Sequence, residues 1–198
     1  MDMNTFIGID PGGVNAFGWC VMDAALPALS VNRMVTGTCS GISEAISEIE
    51  GICETQPVGA GIDAPLYWAL SGERKSDQKI RKAVAKAGGS PSTVGHVNSL
   101  RGACLVQGVL SAVCLTEKFP QIAITESHPK ALLSVWPRAV EFVRQFEFST
   151  DHGRDAAIGA YAAFAFFSQW SQWADLVELE ESCFIPSGGK VAYWFPRI

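Results

Sequence analysis

The sequence lacks the cysteine spacing of a zinc site. Six cysteines occur among 198 residues, and no two of them form a C-x-x-C pair, the arrangement that most structural zinc sites use. Most of the six lie among apolar neighbours, which is typical of reduced cysteines that serve as small core residues. We therefore expect no zinc centre.

The sequence also lacks a segment suited to crossing a membrane. Its longest apolar run, residues 156–167, is interrupted by Gly159 and Tyr161 and is too short to span a bilayer. Residues 1–6 do not show the basic and then apolar layout of a signal peptide. These features predict a soluble, cytoplasmic protein without a membrane partner.

Positive charge is scarce. The chain has 15 Lys and Arg against 20 Asp and Glu, a net charge of −5. Proteins that bind nucleic acid across their whole surface usually carry a basic excess, because phosphate contacts supply most of the affinity. The balance argues against that mode of binding, but six of the 15 basic residues lie between Arg74 and Lys86, so a local basic segment remains.

The pattern of apolar residues predicts alternating strands and helices. The chain has 198 residues, of which 48% are hydrophobic, enough for one substantial core. In chain order we predict strands over residues 5–10, 17–22 and 31–38, a helix over 42–54, a strand over 58–63, helices over 75–87 and 100–118, a strand over 121–126, a short helix after His128-Pro129 and a helix over 151–173.

These elements predict an α/β fold. Short links between the first three strands favour antiparallel hairpins, whereas the later strands follow helical crossovers and run parallel. We therefore expect a mixed sheet, three antiparallel and then parallel strands, with helices on both faces. Residues 1–198 form one domain with a helical insertion at about 67–118. A C-terminal extended segment at about 181–198 is interpreted as a short hairpin around Ser187-Gly188-Gly189.

Four carboxylates lie at predicted element ends. Asp10, Asp63 and Glu126 end apolar strands, and Asp155 lies in the first turns of the last helix. Ligands of open α/β sheets bind at the carboxyl ends of the strands. Small residues after Asp155 would let that helix approach the sheet closely. Clustered carboxylates repel one another unless a cation neutralises them, and oxygen ligands suit Mg²⁺ or Mn²⁺, so we predict a metal site.

Each residue also has a structural interpretation. Asp10 and Asp63 precede prolines and could be turn residues. Glu126 could mark where its strand leaves the core, and Asp151 suits a helix N-cap better than a ligand. His152 could be a first-turn surface residue. The occurrence of Asp10, Asp63, Glu126 and Asp155 together at the ends of predicted strands and a helix favours a metal site over these separate structural roles.

Three segments resemble the RuvC-type Holliday-junction resolvases. Residues 6–13, F-I-G-I-D-P-G-G, with Gly18-Trp19 after them, are similar to the opening strand of that family, which carries a catalytic Asp. Residues 152–156, H-G-R-D-A, resemble the pattern on its last helix, and residues 126–130, E-S-H-P-K, resemble a strand-end E-x-x-P segment. The resolvases generally have Glu where Asp63 stands, and their substrate fits poorly with this acidic chain.

A closer resemblance is to predicted RNase H-like nucleases, domain of unknown function family 429. Residues 63–66, D-A-P-L, match a strand end in that family, and Arg74, Asp77 and Arg81 match its R-x-x-D-x-x-x-R segment. The resemblance implies a ribonuclease H-like fold. It also implies Asp10, Asp63 and Asp155 as metal ligands, with Glu126 at or next to the site.

The basic residues suggest where an anionic substrate would bind. Arg74 and Arg81, by their place in the motif, and Lys130, beside the strand-end segment, are predicted substrate contacts. A solvated helix face is the alternative for the basic segment.

The leading functional hypothesis is a divalent-metal-dependent nuclease, with Glu126 among the metal ligands and one carboxylate or His152 assisting proton transfer. One alternative is a nucleotide or phosphometabolite binder of the actin and sugar-kinase superfamily. Another is a non-catalytic interaction module. Whether the chain is an enzyme, and its oligomeric state, stay open at this point.

Overall fold

A computed structural model describes residues 3–13, 15–69, 73–95 and 102–197. The strands are β1 (Met3–Asp10), β2 (Phe17–Ala25), β3 (Ser30–Cys39), β4 (Pro57–Ile62), β5 (Trp68–Ala69), β6 (Ala123–Glu126), β7 (Trp173–Asp175), β8 (Cys183–Phe184), β9 (Val191–Ala192) and β10 (Trp194–Pro196). The helices are α1 (Ile42–Ile52), α2 (Lys75–Lys86), α3 (Gly102–Lys118), α4 (Pro129–Val135), α5 (Pro137–Val143) and α6 (Asp151–Phe167).

A six-stranded mixed sheet forms the centre of the molecule. Its strand order is β3-β2-β1-β4-β6-β9. The first three strands in the chain pair antiparallel, and β4, β6 and β9 run parallel to β1. Helix α6 packs along β1, β2 and β4, while α1 and α3 pack together against the sheet. The predicted fold class, an α/β mixed sheet of the ribonuclease H-like type, is confirmed.

Glycines let α6 lie directly on the sheet. A Cβ added to Gly8 in β1 would lie 1.7 Å from the carbonyl oxygen of Ala156, and one added to Gly18 in β2 would lie 2.4 Å from that of His152. Any side chain at either glycine would therefore push the helix away. The close approach places the first turns of α6 beside the end of β1.

The C-terminal segment differs from its prediction. It is extended, but it does not form a hairpin, since β8 pairs with β5, β9 joins the main sheet beside β6, and β10 pairs with β7. Residues 168–173, predicted to be helical, lie beyond the end of α6, and Trp173 begins β7. Each of these short apolar strands pairs with a different, distant strand. Sequence periodicity does not indicate which partner a strand takes.

Two further points concern predicted helices. In the part of the chain that the structure describes, no helix combines the length and apolar character needed to span a bilayer. The predicted start of the 100–118 helix falls outside the described residues, which resume at Gly102.

Candidate functional site

The carboxyl ends of three adjacent strands form one edge. Asp10 ends β1, Asp63 directly follows β4, and Glu126 ends β6. The backbone nitrogen of Asp63 donates to the carbonyl oxygen of Ile9 at 2.9 Å, and that of Ser127 donates to the carbonyl oxygen of Ile62 at 2.8 Å. Because β1, β4 and β6 are neighbours in the sheet, these three strand-end positions lie side by side.

Three of the predicted carboxylates lie near enough to one another to interact electrostatically, and we call Asp10, Asp63 and Asp155 the carboxylate edge. Burial raises the pKa of Asp63 to about 7, and the charges of Asp10 and Asp155 raise it further against the opposing charge of His128. Burial also raises the pKa of Asp10, with Asp155 adding to the effect. Mutual repulsion of this kind arises only between carboxylates that lie near one another.

Besides His128, three basic side chains border the carboxylate edge. His152 Nδ1 lies 2.7 Å from Asp10 Oδ2. Arg154 donates to Asp155 Oδ1 from Nε at 2.9 Å and from Nη2 at 2.7 Å. Lys130 is exposed at the start of α4, and its charge lowers the pKa of both Asp10 and Asp63.

The donor set of the carboxylate edge suits a hard divalent cation. All three side chains offer carboxylate oxygens, which Mg²⁺ and Mn²⁺ prefer. The side chains of Asp10 and Asp63 are 14% and 25% exposed, so water and ions reach them. A divalent cation would also relieve the repulsion from Asp10 and Asp155, which adds to the effect of burial on the pKa of Asp63. The ligand chemistry therefore fits the predicted metal, but among the described residues these three carboxylates do not form a group whose ligand atoms all lie within 4.8 Å of one another.

Glu126 takes part in a different, buried group, which we call the Arg74 cluster: Arg74, Asp77, Glu126 and His128. Arg74 donates from Nε and Nη2 to the two carboxylate oxygens of Asp77, at 2.8 and 2.7 Å. It also donates from Nη1 and Nη2 to the two oxygens of Glu126, at 2.9 and 2.7 Å. His128 Nε2 lies 2.8 Å from Glu126 Oε1. Both Arg74 and Glu126 are 0% exposed.

Aromatic rings enclose the Arg74 guanidinium. Its central carbon lies 4.5 Å from the ring centre of Tyr67 and 5.5 Å from that of Tyr193, distances typical of cation–π contacts. Tyr193 also packs on the His128 ring, with 5.3 Å between ring centres. Among the described residues, the Tyr193 hydroxyl is buried without a hydrogen-bond partner.

The Arg74 cluster contains the one group of three His, Cys, Asp or Glu side chains, among the described residues, whose ligand atoms lie close enough together to hold a metal ion. One ligand atom each from Asp77, Glu126 and His128 lies within 4.8 Å of the others. Arg74 Nη2 bonds both carboxylates of this group, so a guanidinium already supplies the positive charge there. Burial disfavours ionised Glu126, yet the charge of Arg74 and the bond to His128 hold its pKa at about 2.

Glu126 has different neighbours from those predicted. It was predicted as a metal ligand beside Asp10 and Asp63, whereas its carboxylate lies in the Arg74 cluster, where it forms with Asp77 and His128 a group that could hold a metal ion. Its connection to the carboxylate edge is indirect, because His128 Nδ1 lies 3.6 Å from Asp63 Oδ1 while Nε2 contacts Glu126. Strand-end position alone does not fix the direction in which a side chain points.

The two arginines predicted as substrate contacts are both engaged within the protein. Arg74 has no exposed surface, and its guanidinium bonds Asp77 and Glu126. Arg81 is paired with Glu73 and donates from Nη1 to the carbonyl oxygen of Val94 at 3.1 Å, so it ties α2 to the following turn. Lys130 alone of the three predicted contacts is exposed at the carboxylate edge.

Sequence inspection did not single out His128, Tyr193 or Arg154. His128 lies inside the E-S-H-P segment and Arg154 inside the H-G-R-D-A segment, so both had a local signal in a recognised motif. Tyr193 had none, since it reaches the cluster only through the pairing of β9 with β6.

No protein-family model, curated protein or solved structure matches the chain. The resemblance to the resolvases and to the predicted nuclease family therefore stays a prediction, and the functional argument depends on the site alone.

Proposed function

We propose that the protein is a divalent-metal-dependent nuclease that hydrolyses phosphodiester bonds with Mg²⁺ or Mn²⁺. The observation that supports this most directly is the convergence of Asp10, Asp63 and Asp155 from two parallel strands and one helix. Two of these carboxylates have raised pKa values, mainly because of burial and to a smaller extent because of the neighbouring carboxylates, and perturbed carboxylates of this kind are common at functional sites. A bound divalent ion would activate water and stabilise the leaving oxygen.

The side chains around the carboxylate edge have distinct parts in this proposal. Asp10, Asp63 and Asp155 hold the metal. Lys130 attracts the anionic substrate. His152, whose Nδ1 contacts Asp10, accepts a proton at Nε2 from the attacking water and is exposed enough, at 43%, to release it to solvent.

The proposal is tested by Mn²⁺ titration and by a cleavage assay on DNA and RNA, single- and double-stranded. We expect wild type to bind Mn²⁺ and to cleave one of these substrates. Asp10→Asn should lose both properties because it removes a ligand charge, whereas Glu117→Gln, on the exposed side of α3, should retain both.

Mn²⁺ binding that survives Asp10→Asn would contradict this assignment of the metal site. Metal binding without cleavage of any nucleic acid, together with thermal stabilisation by ATP, would instead favour the nucleotide-binding alternative.

A further inference from the structure

Arg154 neutralises one member of the carboxylate edge in the metal-free molecule. Its Nε and Nη2 both donate to Oδ1 of Asp155, a side chain that is only 6% exposed. Neither bond uses Oδ2. The Arg154 charge also lies near Asp10, since Asp10 contributes to raising the pKa of Arg154. The guanidinium thus occupies the position of a counter-cation for two of the three proposed ligands.

Arg154 is able to leave this position. Its side chain is 29% exposed, and its Nη1 already donates to Asp151 Oδ1 at 2.9 Å on the outer side of α6. When the bonds to Asp155 break, the charge therefore stays in contact with water and with a second carboxylate. Such a partly exposed ion pair is held weakly compared with a buried one.

A divalent cation and Arg154 compete for the same carboxylate. A metal bound to Asp155 carries more charge than the guanidinium and would repel it at contact distance. Metal entry therefore expels Arg154 towards the solvent at the carboxylate edge, where the phosphate groups of the proposed substrate would lie. A guanidinium suits phosphate well, because its planar set of donors matches two phosphate oxygens.

We propose that Arg154 is the phosphate-binding side chain of this site, that it is held by Asp155 in the metal-free protein, and that metal binding releases it. This inference rests on the proposed metal site. Arg154 would then take the phosphate-binding role that was predicted for Arg74 and Arg81. Arg74 is buried, and Arg81 is engaged by Glu73 and Val94.

The first test measures Mn²⁺ affinity in wild type, Arg154→Gln and Arg144→Gln. Arg144 is exposed at the end of α5 and is not among the charges that shift the pKa of Asp10 or Asp63, so its variant removes the same charge without touching the carboxylate edge. We expect Arg154→Gln to bind Mn²⁺ about tenfold more tightly than wild type, equivalent to the loss of about 1.4 kcal/mol of competition, and Arg144→Gln to stay within about twofold. Equal or weaker binding in Arg154→Gln would show that Arg154 does not compete with the metal and would overturn the inference.

The second test measures the affinity of the same three proteins for a short fluorescent single-stranded oligonucleotide with slowly cleaved phosphorothioate linkages. With saturating Mn²⁺ we expect Arg154→Gln to bind it about fivefold more weakly than wild type, and with chelator we expect no difference. Equal weakening under both conditions would make Arg154 a permanent contact and contradict release by metal. Failure of wild type to bind Mn²⁺ would defeat the proposed function as well, which separates that outcome from failure of the inference alone.

Discussion

The carboxylate edge and the Arg74 cluster are built from similar parts and behave in opposite ways. Both gather carboxylates at the ends of neighbouring strands, and His128 lies between them. In the Arg74 cluster a fully buried guanidinium bonds both carboxylates, and the pKa of Glu126 is lowered to about 2 against the effect of burial. At the carboxylate edge the basic groups are partly exposed, and burial raises the pKa of Asp63 to about 7.

This difference shows that carboxylates at strand ends do not by themselves identify a metal site. The decisive feature is whether the protein supplies a permanent cation. In the Arg74 cluster a buried arginine supplies that cation, whereas at the carboxylate edge we propose that the partly exposed cations move away and leave the carboxylates to a metal.

The largest expected effect on the free energy of unfolding comes from removing Arg74 from the Arg74 cluster. Arg74→Met leaves Asp77 and Glu126 as uncompensated buried acids, so we expect the free energy of unfolding to fall by about 3–5 kcal/mol. The matched variant Arg144→Met removes an exposed arginine and should change it by less than about 0.5 kcal/mol. Denaturant unfolding monitored by circular dichroism measures both.

A loss as small as that of the control would show that Arg74 is not needed to neutralise the cluster. In that case the Asp77, Glu126 and His128 group would have to be reconsidered as a metal site.

At the carboxylate edge we expect a smaller change in the free energy of unfolding, and here the substitution should stabilise the protein. Asp63→Asn removes a carboxylate whose pKa rises from 3.8 to about 7 on folding. In chelator at pH 8 we expect the variant to be about 2 kcal/mol more stable than wild type, roughly half of the value for a fully buried group because a quarter of the side chain is exposed. Thermal or urea unfolding in matched buffers provides the measurement.

The pH dependence of this difference follows from the direction of the shift. Because the folded state holds the Asp63 proton more tightly than the unfolded chain, protonation stabilises the fold below about pH 4. That contribution is lost as the pH rises through about 7. The stability gain of Asp63→Asn should therefore be close to zero at pH 4 and largest at pH 8; a gain that is constant over this range would contradict a raised pKa.

The sequence predicted more of the carboxylate edge than of the Arg74 cluster, for a physical reason. Asp10 and Asp63 follow apolar strands that pair directly, so strand order was enough to bring them together. Asp155 needed in addition the close approach of α6 over Gly8, which the small residues of the helix indicated. All three depend on regular secondary structure, which local patterns encode.

The Arg74 cluster depends on side-chain direction and on distant pairing. Arg74 and Asp77 were recognised as a motif, but their burial follows from Tyr67 on one side and Tyr193 on the other. Tyr193 arrives from the C-terminal segment through a two-residue strand, which no periodic pattern identifies. The neighbours of Glu126 were not predicted, for the same reason.

The smallest expected effect tests whether the Arg74 cluster is complete without a further ligand. The Tyr193 hydroxyl is buried without a partner among the described residues, so Tyr193→Phe should leave the free energy of unfolding unchanged or raise it by up to about 1 kcal/mol. Tyr161→Phe is the matched control, because the Tyr161 hydroxyl accepts a hydrogen bond from Trp136 Nε1 at 2.9 Å and its loss should cost about 1 kcal/mol. Equilibrium urea unfolding distinguishes the two variants.

The sign of the stability change in Tyr193→Phe shows whether the Arg74 cluster holds a further ligand. A buried water or metal ion held by Asp77 and Glu126 would give the Tyr193 hydroxyl a partner, and its removal would then destabilise the protein as much as Tyr161→Phe does. A neutral or stabilising result means that Arg74 satisfies the two carboxylates alone. The Arg74 cluster would then be a closed structural group, and the carboxylate edge would be the place to look for the metal.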